Sequence, residues 1–121
     1  MKSRSSKNKG RRLQIWICEK IAAIFDVPFD NQDDNCLIHS REMGQSKCDI
    51  VLRGEIKKIF NFDIEAKNTE VVQLYKFIEQ AKKNIEVNRE WLMVHKKNNS
   101  DPVVVMSWDS FEKLIRKGIC R

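Results

Sequence analysis

Residues that break regular structure are scarce: four glycines and two prolines in 121 positions. That scarcity excludes collagen-like chains and Pro- or Gly-rich linkers, and neither a P-loop nor a dinucleotide-binding glycine pattern is present. Long apolar runs are missing as well. None approaches the roughly 18 residues of a membrane span, and the first residues lack the apolar core of a signal peptide. The chain is therefore expected in the cytoplasm, of a host cell if it is viral, with no membrane partner and no organic cofactor. The four cysteines, Cys18, Cys36, Cys48 and Cys120, form no CxxC pair, so reduced thiols are expected rather than disulfides. Cys36 and His39 have ligand spacing and Cys48 follows, but no second pair completes a zinc site. Acids are absent from the first twelve residues, which carry Lys2, Arg4, Lys7, Lys9, Arg11 and Arg12. Of 23 basic residues 17 remain beyond them, and these equal the 17 acids, so the whole net charge of +6 lies in this segment.

What is present suits one soluble domain. Apolar residues make up 41% of the chain and charged ones 33%, and a chain of this length buries roughly two-thirds of its unfolded surface around one core. Residues 1–8 read as a flexible basic arm ahead of a single domain over 9–121. A cationic arm without acids reads as a phosphate-backbone contact whose affinity falls steeply with salt. A solubility tail or a targeting signal is the other reading. An anionic membrane is a poorer partner, because the arm lacks an apolar half.

Periodicity sets out the elements. Leu13, Trp16, Ile17, Ile21, Ile24 and Phe25 recur at helical spacing and predict a first helix over 9–25. Pro28 and the polar run 30–35 end it; Asp33 and Asp34 do not match an EF-hand and read as loop charges. Cys36–His39 is a short strand, and residues 40–47 lead as a loop into a second strand at 48–52. Arg53-Gly54 turns the chain, residues 55–59 form one helical turn, and Phe60–Lys67 alternates as a strand. Asn68-Thr69 caps a helix predicted over 70–87, with Val71, Val72, Leu74, Tyr75, Ile78, Ala81 and Ile85 as its apolar stripe. Strands at 91–95 and 103–106 flank a turn at 98–102, and a last helix begins at Ser107 or Asp109 and is stopped by Gly118. The result is an α/β domain with a mixed sheet of four or five strands flanked by helices.

The chemistry concentrates between Lys47 and Lys67. Phe62, Ile64 and Ala66 share one strand face, and Asp63, Glu65 and Lys67 the other, since strand side chains alternate. Asp49 stands at the start of the preceding strand. If the two strands are neighbours, Asp49, Glu65 and Lys67 converge. Two carboxylates with a nearby carbonyl oxygen, here that of Ala66, make the hard, oxygen-rich site that Mg²⁺ or Mn²⁺ prefers. A lysine beside such a site holds a water or, as the free amine, deprotonates it, and as the ammonium it stabilises a phosphorane-like transition state. Asp63, on the same face but outside this pattern, reads as a solvated charge.

Asp49 followed after fifteen residues by Glu65-Ala66-Lys67 resembles the D…ExK signature of the PD-(D/E)xK, or restriction-endonuclease-like, nucleases. Lys9-Gly10-Arg11-Arg12-Leu13-Gln14 resembles the opening of the phage and archaeal Holliday junction resolvase branch, and the element order after Lys67 fits it too. The resemblance spans nearly the whole chain. It implies a restriction-endonuclease-like fold and a Mg²⁺-dependent DNA endonuclease, with Mn²⁺ as a substitute. Branched double-stranded DNA as substrate and a homodimer with two opposed sites follow from it as well. Asp49, Glu65 and the Ala66 carbonyl would hold the metal and Lys67 would activate or orient the water. The pattern has a glutamate where this chain has Gln14, which could ligate through its carbonyl oxygen or through a water. Resolvases of this type keep a serine and basic groups ahead of the aspartate, and Ser46, Arg41 and Lys47 match. Lys7, Lys9, Arg11 and Arg12 complete the expected DNA contacts. Gln80 is a weaker candidate, since a glutamine recurs at this distance past the lysine, and His95 reads as a packed or surface histidine.

Overall fold

The structure is a computed structural model that describes residues 4–42 and 47–119. Helix α1 spans Arg4–Phe25, so residues 4–8, expected as part of a flexible arm, are helical. The apolar spacing that defined the helix begins only at Leu13, and the polar turns before it left no periodic mark. Its buried stripe is Leu13, Gln14, Ile17, Cys18, Ile21 and Ala22, whereas Trp16 and Ile24 stay exposed. The helix ends in a Schellman-type closure. Asp26 takes a positive φ of 54°, and the amides of Asp26 and Val27 donate to the carbonyls of Ala23 and Ala22. Asp tolerates this left-handed position, and Pro28 cannot continue the helix.

Five strands follow among the described residues. β1 (Ile38–Ser40) and β2 (Ile50–Leu52) pair antiparallel with Ile38 opposite Leu52. Helix α2 (Gly54–Ile59) then leads to β3 (Phe62–Asn68). Helix α3 (Leu74–Lys83) is the crossover that lets β4 (Glu90–Lys96) run parallel to β3, with Glu65 opposite Met93 and Lys67 opposite His95. β5 (Val103–Met106) returns antiparallel to β4, and α4 (Trp108–Ile119) ends the described chain. The five strands form a mixed α/β arrangement of two sheets, β1-β2 and β3-β4-β5. The two meet where the Asp49 N–H donates to the Ile64 carbonyl at 2.9 Å. Alternation holds along β3: Phe62 and Ile64 join the core beneath α1, together with Leu92 and Val94 of β4 and Ile38, Ile50 and Leu52 of the hairpin.

Two helices, α3 and α4, end elsewhere than the sequence reading places them. α3 is shorter than 70–87, because β3 runs through Asn68 and residues 69–73 form a connection. Thr69 donates its hydroxyl to the Val71 carbonyl there, and Val71, Val72, Leu74 and Tyr75 are exposed. Gly118 does not stop α4, which runs on to Ile119. Ser107 does cap it, its Oγ accepting the Ser110 N–H at 3.0 Å. Among the described residues, no helix is long and apolar enough to cross a membrane.

Candidate functional site

The site lies where the start of β2 meets the middle of β3. Asp49 precedes β2 and Glu65 sits within β3, and the Asp49–Ile64 backbone bond brings the segments edge to edge. The Asp49 carboxylate accepts the Ala66 N–H through Oδ2 at 2.8 Å. Arg41 fixes the approach to Asp49: its N–H donates to the Asp49 carbonyl at 2.7 Å, and its Nε to the Cys48 carbonyl at 2.7 Å. Glu65 is only 5% exposed, and its Oε1 accepts the side-chain amide of Asn84 at 2.8 Å. The two carboxyl groups lie within hydrogen-bonding reach of each other. Lys67 directs its ammonium to 5.2 Å from the Phe77 ring centroid.

Burial raises both acids. For Glu65, desolvation first and the Asp49 charge second lift the carboxyl from an ordinary 4.5 to about 7, against the pull of the Asn84 amide and the Lys67 ammonium. Asp49 is raised by desolvation too, against the Ala66 N–H and Lys67. Two carboxyls held together out of water in this way favour a shared proton or a cation between them.

One cavity of about 440 Å³ gathers Asp49, Glu65, Ala66 and Lys67 with Lys7, Lys9, Gly10 and Gln14 of α1. Gln14, 3% exposed, thus brings an amide to the wall where the nuclease pattern has a carboxylate. The other expected residues are placed elsewhere. Arg12 lines a neighbouring cavity, Arg11 is felt electrostatically by the buried Cys18 thiol, and Arg41 is spent on backbone carbonyls. Lys47 lies with Lys83 and Glu86 in a separate depression. Ser46 lies outside the described residues. Gln80 does not line the cavity; its Oε1 is buried without a hydrogen-bond partner among the described residues. It shares the α3 face that presents Phe77 and Asn84, at spacings of three and four residues. His95 is a packed histidine, as expected, buried with Nε2 within 3.0 Å of the Thr69 hydroxyl and 2.9 Å of its carbonyl oxygen.

One sequence reading needs correction, and one partner of the site was missed. Asp63 is no solvated charge: it is buried in an ion pair with Arg89, Oδ1 to Nε 2.6 Å. Asn84 was not anticipated at all, because nothing local marks an asparagine 19 residues downstream as the partner of Glu65. Cys18, Cys36 and Cys48 are buried free thiols. Burial pushes Cys18 up to about 12, which makes it an unreactive packing residue.

Among the described residues, no group of three or more His, Cys, Asp or Glu side chains is arranged to hold a metal. The donor set nevertheless fits a hard cation of low protein coordination. It comprises two facing carboxylates, a glutamine amide and a backbone carbonyl. Residues of a strand present N–H and C=O to the same edge, so the Ala66 carbonyl points to the edge where its N–H meets Asp49. Mg²⁺ keeps several waters and takes one or two carboxylates, and this site offers two.

No protein-family model, curated protein or solved structure matches the chain.

Proposed function

We propose that this chain is a divalent-metal-dependent, structure-selective DNA endonuclease of the PD-(D/E)xK class, acting as a homodimer on four-way junctions. One observation carries the reading: the D…ExK residues, far apart in the chain, meet in one cavity that Lys7 and Lys9 also line. Asp49, Glu65, the Ala66 carbonyl and, directly or through water, Gln14 would hold Mg²⁺ or Mn²⁺. When bound, that ion supplies Lewis-acid stabilisation of the charge that builds on the phosphate. Asn84 and the Ala66 N–H each occupy one carboxylate oxygen, which orients the remaining oxygens towards the cavity. Lys67 orients the attacking water and offsets the charge of the phosphorane-like transition state. The water oxygen bonds to phosphorus, the bond to the 3′ oxygen breaks, and the proton passes to that oxygen. A 5′-phosphate and a 3′-hydroxyl remain. Lys7 and Lys9 hold flanking phosphates, in the cytoplasm of the cell or host.

The deciding experiment sets labelled four-way junction, flap, mismatch and plain duplex side by side with Mg²⁺, Mn²⁺ or EDTA. Metal-dependent cutting, strongest on the junction, is expected. Cutting that persists in EDTA rejects the metal mechanism. One feature favours a second reading, a catalytically silent DNA-binding module of the same fold: Gln14 stands where the pattern has an acid. Binding with no cutting under either metal selects that reading.

Lys7 and Lys9 have their own test. Replacing Lys7 and Lys9 by alanine is expected to flatten the slope of log K against log[salt] by roughly 0.9 per lost phosphate contact. Single-turnover cutting at saturating protein should be largely retained. An unchanged slope would show that these lysines do not touch the backbone.

A further inference from the structure

A second cavity, of about 510 Å³, adjoins the carboxylate cavity. Lys9, Asn68 and Asn98 line both, so the trough from Asp49 and Glu65 to Trp16 has two parts, and these residues form the wall they share, where Asn68 Nδ2 donates to the Lys9 carbonyl at 3.3 Å. Its far end has a distinct chemistry. Lys9, Arg12 and Lys96 contribute three cations against the one carboxylate of Asp101, and the indole of Trp16 forms part of the wall. On α1, Arg12, Trp16 and Lys20 follow at four-residue intervals and so make one surface row, with Lys20 Nζ 5.5 Å from the indole centroid. Trp16 is 39% exposed while its neighbour Ile17 is 3%, and it is no member of the apolar core. Trp16 also borders an apolar groove with Ile21, Ile24 and Val104, and the rest of its indole stays open to water beside Lys20. Grooves that bind single-stranded nucleic acid are built this way, with cations tracking the phosphates and an aromatic platform on which a base stacks.

We propose that this trough is a binding site for a single-stranded segment of nucleic acid. One base stacks on Trp16, and the phosphates between it and the carboxylates are held by Lys9, Arg12 and Lys96. The inference rests on the nuclease reading for its direction, since the trough opens out of the cavity that this reading makes the cutting site. Lys9 and Trp16 are seven residues apart, roughly 10 Å along the helix axis, so the stacked base lies beyond the phosphate that Lys9 holds. Duplex DNA, whose bases are already stacked, has no use for the indole. Discrimination between single strand and duplex is therefore the signature of the site.

The test measures anisotropy of a fluorescein-labelled oligo-dT and of a blunt duplex of equal length, in EDTA so that nothing is cut. Trp16→Ala is expected to weaken oligo-dT binding about ten-fold or more, the scale of one base–aromatic stack, and duplex binding less than two-fold. Trp16→Phe, which keeps a ring, should recover most of the loss. A second readout leaves Trp16 in place: in a Trp91→Phe, Trp108→Phe chain, oligo-dT should quench the remaining indole emission. Oligo-dT affinity unchanged by Trp16→Ala, or emission unquenched at saturation, overturns the proposal. A chain that cuts junctions yet shows either result loses only this site. One whose single-strand binding depends on Trp16 but that never cuts loses only the nuclease reading.

Discussion

Glu65→Gln is expected to abolish DNA cutting and, in EDTA at pH 8, to melt at a higher temperature than the unaltered chain. Both effects come from one carboxyl group. In the folded chain it titrates at about 7 instead of 4.5, raised by burial and then by Asp49. Between those pH values the folded chain binds a proton that the unfolded chain has released. Stability from this group is therefore fully present below about 4.5 and is lost as pH rises through 7. A shift of that size corresponds to something on the order of 3 kcal/mol, shared with Asp49 because the two acids interact. The neutral amide avoids the cost and still offers an oxygen to Asn84. Cutting should fall by at least about 10²–10³-fold, the scale of removing one group that stabilises transition-state charge. Lys67→Ala should lose activity to a similar degree without the gain in stability. Mg²⁺ should raise the melting temperature of the unaltered chain, because a ligand that binds only the folded state stabilises it, and should leave Glu65→Gln unmoved. A melting temperature of the metal-free chain that does not fall between pH 5 and 8 would refute the electrostatic account. Junction cutting by Glu65→Gln at the original rate would refute the site.

Arg89→Ala is expected to destabilise the fold by about 3–5 kcal/mol, the range for breaking a buried ion pair on one side. The Arg89 and Asp63 side chains are 7% and 8% exposed. All five guanidinium donors are used. Nε donates to Asp63, one terminal nitrogen to the Lys57 carbonyl and Asn61 Oδ1, and the other to the Phe60 and Phe62 carbonyls. The second Asp63 oxygen accepts the Glu86 N–H at 2.8 Å. Removing the arginine strands a carboxylate out of water and leaves four other acceptors without their donor. Asp63→Ala strands the guanidinium instead and should cost as much, so it cannot serve as a silent neighbour of Glu65. Urea unfolding of Arg89→Ala, Asp63→Ala and the double variant Arg89→Met/Asp63→Leu tests this. The double variant should be the most stable of the three. A loss below about 1 kcal/mol, the surface-pair range, would refute the buried-pair account.

How much of this could be read from the chain follows the range of the interactions. The alternation along 62–67 placed Phe62 and Ile64 in the core and Glu65 with Lys67 on the opposite face, because pleat parity is a local rule. The meeting of Asp49 with Glu65 was legible as a condition, that the two strands be neighbours, and the Asp49–Ile64 bond meets it. What decides whether a charge on that face is wet or buried lies far along the chain. Arg89 is 26 residues from Asp63 and Asn84 is 19 from Glu65, and no periodicity announces either. The apolar residues 71–75 misled for the opposite reason. Their spacing suits a helix, yet β3 extends through Asn68 and α3 begins only at Leu74, so Val71 and Val72 fall in the connection and Leu74 and Tyr75 on an exposed first turn.

The seam between the two sheets gives the site a mechanical role. The β1–β2 hairpin joins the larger sheet through apolar packing, the Asp49 N–H to Ile64 bond, and the Asp49 carboxylate on the Ala66 amide. Asp49 belongs to the hairpin side and Glu65 to the sheet side, so whatever sits between their oxygens spans the seam like a rivet. Its affinity and the hairpin's resistance to peeling away are then one free energy measured from two ends. A ligand held weakly there leaves the hairpin loosely fastened, and one held tightly locks the two sheets into a single body.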